Sequence, residues 1–171
     1  MHQTAMQYGK QFFEKYGPFG TVAEIGSMVV AGGSLREVAT KGCLYVGIDC
    51  ADGPGVDVVV VDPYNLPIHD SQYDAVVSSS TFEHVDFFWL TFLEMVRICK
   101  PGRYIYVNSP SNGYVHRHPV DCWRFYPDAG QALARWAARN RYSVELVETF
   151  MGEPDVDVAH WIDWVAIWRK G

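Results

Sequence analysis

The period of the apolar positions changes along the chain, and each change marks an element. Residues 3–16 put Phe12, Phe13 and Tyr16 on one side and stop at Gly17-Pro18, which predicts a helix. Residues 21–26 (TVAEIG) form a short apolar run broken by glycine, the pattern of a buried strand. After Gly32-Gly33, Ser34 stands as the N-cap of a helix beginning SLREVA. Residues 43–49 (CLYVGID), 56–62 (VDVVVVD) and 73–79 (YDAVVSS) predict three more strands, with turn residues ADGPG at 51–55. Residues 82–98 carry apolar groups at 82, 85, 88, 89, 92, 93 and 96, which is helical spacing. Lys100-Pro101-Gly102 ends that helix, and 104–107 (YIYV) is a fifth strand. Asp128 is placed to cap a helix over 129–140, with Leu133 and Trp136 inward and Arg135, Arg139 and Arg141 outward or near its C-terminal end. Residues 143–150 and 164–170 are the last two strands, separated by an acidic loop, EPDVD, at 153–157.

Strands that alternate with helices and read as near-continuous Val/Ile runs indicate an α/β fold with a parallel sheet covered on both faces. The final two strands have no helix between them and are expected to close one edge as an antiparallel pair. In such a sheet, ligands bind outside the carboxyl ends of the strands, at the topological switch point. The unusual residues fall there. Glu24-Ile25-Gly26-Ser27 ends the first strand, Asp49 the second, Asp62 the third and Ser78-Ser79-Ser80 the fourth. Asp49 follows Gly26 by 23 residues, the distance at which an acid meets ribose hydroxyls. The glycines are spaced Gly26-x6-Gly33 rather than GxGxxG, so a pyrophosphate cradle is poorly supported and a nucleoside ligand fits better. Asp57, inside its strand, is read as a solvent-facing or hydrogen-bonded side chain near the sheet edge.

Length and charge narrow the partners. At 171 residues, a single domain is expected over 1–171. Basic residues number 14 and acidic ones 20, a net charge of −6, which argues against nucleic acid or an anionic membrane surface as partner. Cys43, Cys50, Cys99 and Cys122 show no CxxC spacing, so no zinc cluster or disulfide framework is expected; reduced thiols suit a cytoplasmic protein. The N-terminal stretch has no signal-type apolar run, and no stretch approaches ~20 apolar residues.

Four stretches together resemble the class I S-adenosylmethionine-dependent methyltransferases of the small "methyltransferase type 11-like" kind. These are EIGS at 24–27, GIDCADGPGVDVVVVDPYNLPI at 47–68, YDAVVSSSTFEHV at 73–85 and CKPGRYIYVNSP at 99–110. The resemblance covers roughly residues 20–135. It implies a Rossmann-like three-layer sandwich with a mostly parallel seven-stranded sheet and an antiparallel edge strand. It also implies S-adenosyl-L-methionine as cofactor, held by the half at about 1–100. Glu24, Gly26 and Ser27 would surround its methionine end, Asp49 its ribose and Asp62 its adenine amino group. Pro63 and Tyr64 would lie beside the adenine ring, and Ser79 would face the methionine moiety. The family's GxGxG is replaced here by Gly26-Ser27-Met28, with a longer loop closing at 33–36, and Arg103 stands where a second glycine often follows the Pro-Gly turn.

The segment at about 108–128 (NSPSNGYVHRHPVDCWRFYPD from Asn108) is the expected substrate element. Its base candidates are His116, His118 and Asp121, with His84 behind them. Arg117 and Arg124 are suited to a carboxylate or phosphate on the substrate, and Trp123 and Tyr126 to stacking. The plainer alternative packs Trp123, Phe125 and Tyr126 on the sheet and pairs Arg124 with Asp121. His-x-His with a nearby Asp suggests a metal, but no third ligand stands at a known spacing, so none is expected. Similar His-Pro-x-Asp-x-Trp-Arg-Phe stretches occur in methyltransferase-like proteins of glycan pathways. The expected acceptor is therefore a small molecule, a sugar or glycan-precursor hydroxyl among them. A second subunit of a homodimer is one way to close the acceptor site. Competing readings are a non-catalytic nucleoside-binding scaffold and a nicotinamide-dependent oxidoreductase. The C-terminal Trp161, Trp164 and Trp168 are expected in the core or a dimer face rather than in a ligand box.

Overall fold

A computed structural model describes residues 3–154 and 161–171. The strands are β1 (Thr21–Ile25), β2 (Leu44–Asp49), β3 (Val58–Val59), β4 (Tyr73–Ser79), β5 (Cys99–Pro110), β6 (Val144–Met151) and β7 (Asp163–Lys170). They form one seven-stranded sheet in the order β3-β2-β1-β4-β5-β7-β6. β1 through β5 pair in parallel, while β7 is antiparallel to both β5 and β6, so the expected antiparallel pair closes one edge. The order reverses between β1 and β4, which creates a switch point at their carboxyl ends.

Successive strand residues face opposite sides, and here both sides are buried. Val22, Ala75, Val77, Tyr106, Val165 and Ile167 point to one layer, which α1 (Gln3–Tyr16) and α2 (Leu35–Val38) cover with Phe12, Phe13 and Leu35. Their neighbours Ala23, Val76, Ile105, Val107, Trp164 and Trp168 point to the other, covered by α3 (Phe88–Ile98) and α4 (Asp128–Arg139). This strict alternation explains why the central strands read as unbroken apolar runs. All three C-terminal tryptophans are core, and the two in β7 satisfy their indole N–H groups on Thr149 Oγ1 (3.1 Å) and the Gly130 carbonyl (3.0 Å).

Ser34 caps α2 as expected, in a capping box with Glu37. Four expectations need correction. The third strand is two residues long, not seven, because it lies at the sheet edge with Val61 wholly exposed. Asp57 there turns its carboxylate onto the Gly47 N–H (2.7 Å) and Arg36, the hydrogen-bonded reading of that residue. The helix over 82–98 is broken into a 3-10 turn at Phe82–His84 and α3. The carbonyls a continuous helix needs are already taken: Cys122 N–H donates to Glu83 O (2.7 Å), and Trp123 Nε1–H to Val85 O (3.0 Å). β5 begins at Cys99 and runs through the Pro-Gly turn, with Gly102 at φ 74°. Asp128 sits in the first turn of α4 without capping it, since the N-cap position is Pro127. Of the acidic loop, residues 155–157 lie outside the described residues.

Candidate active site

A crevice of about 790 Å³ opens at the carboxyl ends of β1, β2 and β4, where the order of strands reverses. Gly26 forms its floor. The residue has φ 75°, and a Cβ there would fall 2.1 Å from Thr81 Oγ1. Its N–H and that of Ser27 both donate to the Ile48 carbonyl (2.9 and 3.2 Å), which ties the loop after β1 to β2. Ser27 Oγ is buried and without a hydrogen-bond partner, a polar atom awaiting a ligand in this wall.

Glu24 lies beneath that loop, buried, with Oε2 accepting from the Tyr45 hydroxyl at 2.9 Å. Burial pushes its carboxyl up to about 7, against the pull of Tyr45 and Arg36. Tyr45 escaped the sequence reading. It reaches Glu24 past Gly47, where a Cβ would meet Gly55 O at 2.0 Å. Asp49 lines the crevice at the end of β2. Its Oδ2 accepts from Met28 N–H (3.0 Å) and its Oδ1 from Cys50 N–H (2.7 Å), so the carboxylate is oriented by backbone before any ligand arrives. Ser79 also lines the crevice and donates to Asn108 Oδ1 (3.1 Å).

Pro63 and Tyr64 line the crevice beside Val60 and Leu66, an apolar wall of a kind that suits a flat ring. Asp62 does not join them. Its Oδ1 accepts from Tyr64 N–H (2.8 Å) in a local turn and the side chain is exposed away from the crevice. Strand-end aspartates also make turns, and this one does, beside Pro63 and Tyr64 of the crevice wall. Taken together, Glu24, Gly26, Ser27, Asp49 and the apolar wall fit a nucleoside with a charged tail.

The opposite wall is the 109–127 loop. It brings His116 and His118 to the crevice, where they meet His84 from the 3-10 turn after β4. The three rings stand edge to face, with centroids 4.9 Å (His84–His116), 5.8 Å (His84–His118) and 6.1 Å (His116–His118) apart. Asp121 is corrected as a base. Arg124 grips both its oxygens (2.5 and 2.8 Å), His116 N–H donates to it at 2.7 Å, and its side chain is 1% exposed. The guanidinium holds its carboxyl well below the usual range, so it stays ionised and binds a proton too weakly to serve as a base at neutral pH.

The expected substrate contacts are corrected with it. Arg124 is engaged by Asp121 and by the carbonyls of Trp123 (2.7 Å) and Tyr114 (3.0 Å). Trp123 packs edge-on against Phe88 and Trp89. Tyr126 and Arg117 are exposed outside the crevice. The plainer reading of the loop holds for Arg124 and for Phe125, which stacks on Trp164 at 5.1 Å. A donor group does form, but from His116 with the Glu83-His84 pair, 32 residues before it in the chain, and without His118. Only the fold brings the two segments together.

The comparisons agree with this geometry. Residues 29–107 match the methyltransferase-domain family. A probable tRNA methyltransferase 9B of Mus musculus is 33% identical over 101 residues, which are 54% of this chain and 22% of the relative. The chain thus spans about a quarter of the length of the curated relatives it matches. Among solved structures, a SAM-dependent methyltransferase from Archaeoglobus fulgidus superposes with a TM-score of 0.71 at 14% identity, covering 98% of this chain and 94% of that one. The Burkholderia thailandensis 1,6-didemethyltoxoflavin-N1-methyltransferase, solved with S-adenosylhomocysteine, gives 0.71 at 13% identity, covering 98% and 79%. Among the described residues no helix is long and apolar enough to cross a membrane. In fold the chain is similar to solved S-adenosylmethionine-dependent methyltransferases, and over residues 29–107 its sequence is similar to the methyltransferase-domain family.

Proposed function

We propose that this chain transfers a methyl group from S-adenosylmethionine to a hydroxyl of a small acceptor of the sugar or glycan-precursor class. One observation carries the reading: a single crevice joins a nucleoside-type wall (Glu24, Gly26, Asp49) to a wall of three imidazoles. When bound, the cofactor supplies an electrophilic methyl group on a sulfonium. Asp49, already oriented by two backbone N–H groups, would receive the ribose hydroxyls. Glu24 and the loop of Gly26 and Ser27 would hold the charged tail, and Ser79 the neighbouring part. Pro63 and Tyr64 would flank the base.

In-line displacement needs alignment and the exclusion of water above all. The 109–127 loop provides the second, because it forms the wall opposite the cofactor residues. A hydroxyl acceptor also needs its proton removed. His118 is the candidate: it lines the crevice, is exposed to an incoming molecule, and has no carboxylate clamped to it.

The test is calorimetric titration of wild type and Asp49→Ala with S-adenosylmethionine, S-adenosylhomocysteine and NAD. Micromolar binding of the first two, lost in Asp49→Ala, is the expected result. A folded protein that binds neither would overturn the reading in favour of a scaffold, and binding of NAD alone would point to an oxidoreductase. The name of the tRNA methyltransferase relatives favours a second reading, an RNA acceptor. Transfer of labelled methyl to transfer RNA but not to nucleotide sugars would select it.

A further inference from the structure

The two segments that meet at the imidazole wall form a more specific object than a pair of bases. We infer that Glu83, His84 and His116 are the protein ligands of a divalent transition-metal ion, of the zinc or cobalt kind, at the acceptor end of the crevice. The inference stands on this cluster and does not require the cofactor reading.

One donor atom from each of the three residues lies within 4.8 Å of the other two. His84 is set up as a ligand. Its Nδ1 is 2.6 Å from the Val120 carbonyl, and a carbonyl oxygen can only accept, so Nδ1 carries the proton. The Nε2 lone pair is therefore free, and it faces Glu83 Oε1 at 3.7 Å. A histidine that donates its far nitrogen to a backbone carbonyl is the usual support behind a metal-bound imidazole.

Glu83 supplies the second, independent observation. It is 1% exposed, and its Oε2 has no hydrogen-bond partner. Ser109 and the Glu83 backbone stabilise the carboxylate in part, and the buried oxygen left without a partner still costs free energy unless a cation or donor meets it. His84 and His116 are its neighbours on the crevice side, and a cation between the three would supply what is missing.

His116 is held for the same purpose. Its backbone N–H is fixed on Asp121, whose carboxylate Arg124 grips in two places. Its Nδ1 is buried 3.3 Å from Asp121 Oδ2 but out of line for a hydrogen bond. A small ring rotation turns that into a carboxylate–histidine support with Nε2 on the metal.

Two imidazoles and one carboxylate select zinc, cobalt or iron over magnesium, which prefers oxygen donors. Zinc sits ~2.0–2.1 Å from such donors, so the cluster must contract by roughly 1 Å when the ion enters. Three protein ligands leave a position open to the crevice. An acceptor hydroxyl placed there would lose its proton more readily, as metal-bound water does. His118, outside the triad, remains free to take that proton.

The experiment uses the whole chain, freed of metal with a chelator and titrated with cobalt(II) and then zinc(II). The expected result is one equivalent bound, with the visible band of low-coordinate cobalt. Glu83→Gln and His116→Asn should each weaken binding 10- to 100-fold, as loss of a ligand or its support does. The exposed His69→Gln should bind as wild type. Saturation that is equal in wild type and Glu83→Gln, or no saturation, would overturn the site. Should a variant fail to fold, X-ray absorption on the zinc-loaded wild type decides. Two imidazoles with light oxygen neighbours support the site, and sulfur neighbours refute it. Titration of each variant with S-adenosylhomocysteine separates the two proposals. Metal failure with intact cofactor binding refutes only this inference, and the reverse result refutes only the cofactor reading.

Discussion

At Gly26 the backbone conformation and the close approach of another chain segment coincide. With φ 75° and Thr81 Oγ1 only 2.1 Å from a would-be Cβ, alanine is opposed twice. The left-handed backbone costs a Cβ-bearing residue ~1–2 kcal/mol, and Thr81 must also move. Gly26→Ala is expected to lower the unfolding temperature and to weaken S-adenosylhomocysteine binding at least tenfold. Unchanged values for both would mean that this turn is not the cradle. Glu24 carries a second residue-scale prediction. Its carboxyl, raised by burial to about 7, is only partly ionised at neutral pH. A cationic ligand gains from the ionised form alone, so S-adenosylmethionine affinity should rise between pH 6 and pH 8. Glu24→Gln should flatten that rise, while the ligand's own titration persists in both proteins and is subtracted by the comparison. For stability the sign is opposite. A carboxyl raised on folding contributes fully below its ordinary value, and the contribution is lost as pH climbs through 7.

Among the elements, the sheet was legible in the sequence and the loop over it was not. β1, β4 and β7 announced themselves because both faces are buried, which leaves apolar runs with little polar to blur them. β3 was overread for the opposite reason: Val61 is apolar yet wholly exposed, and composition alone does not reveal an edge. The crevice half was legible at Glu24, Gly26 and Asp49 as strand-end residues. Asp62 shared that signature but turned to Tyr64 N–H. Nothing local showed that the 109–127 loop would take the carbonyls of Glu83 and Val85, whereas the pairing of Asp121 with Arg124, three residues on, was open to reading as the plainer alternative. That enclosure makes Asp121 a positioning residue for His116. Asp121→Asn should cost about 1–3 kcal/mol of stability through the half-satisfied Arg124. It should also speed proteolysis between 109 and 127 while leaving S-adenosylhomocysteine binding within a few-fold. Because the carboxyl is held low, its stabilising effect is present at neutral pH and fades only in strong acid, as pH falls below the ordinary carboxylate range toward the depressed value. Proteolysis equal to wild type would show that the clamp does not order the loop.

For the whole molecule, the charge balance bears on the choice of acceptor. The chain has 14 basic and 20 acidic residues, and many of the basic ones are already engaged. Arg36 pairs with Asp57, Arg97 with Asp70 and Glu94, Lys100 and Arg103 with Asp74, Arg124 with Asp121, and Lys15 with Glu148. Arg135, Arg139 and Arg141 are exposed, but they belong to α4 and its C-terminal end, and α4 packs on β6, at the far edge of the sheet from β1 and β2. A protein that tracks a phosphate backbone needs unpaired cations beside its site, and its affinity then falls steeply with salt. None of the residues lining this crevice is lysine or arginine. A fluorescent single-stranded RNA should therefore show no saturable rise in anisotropy with micromolar protein, even at about 50 mM salt, where nonspecific binders are already engaged. Saturable binding that weakens on a log–log salt plot with a slope of about −0.7 per phosphate contact would reverse the conclusion. It would mean that the acceptor reaches the imidazoles as part of an RNA strand, carried by a face whose pairs open on contact. Absence of that binding is the outcome expected if the acceptor is the small molecule proposed above.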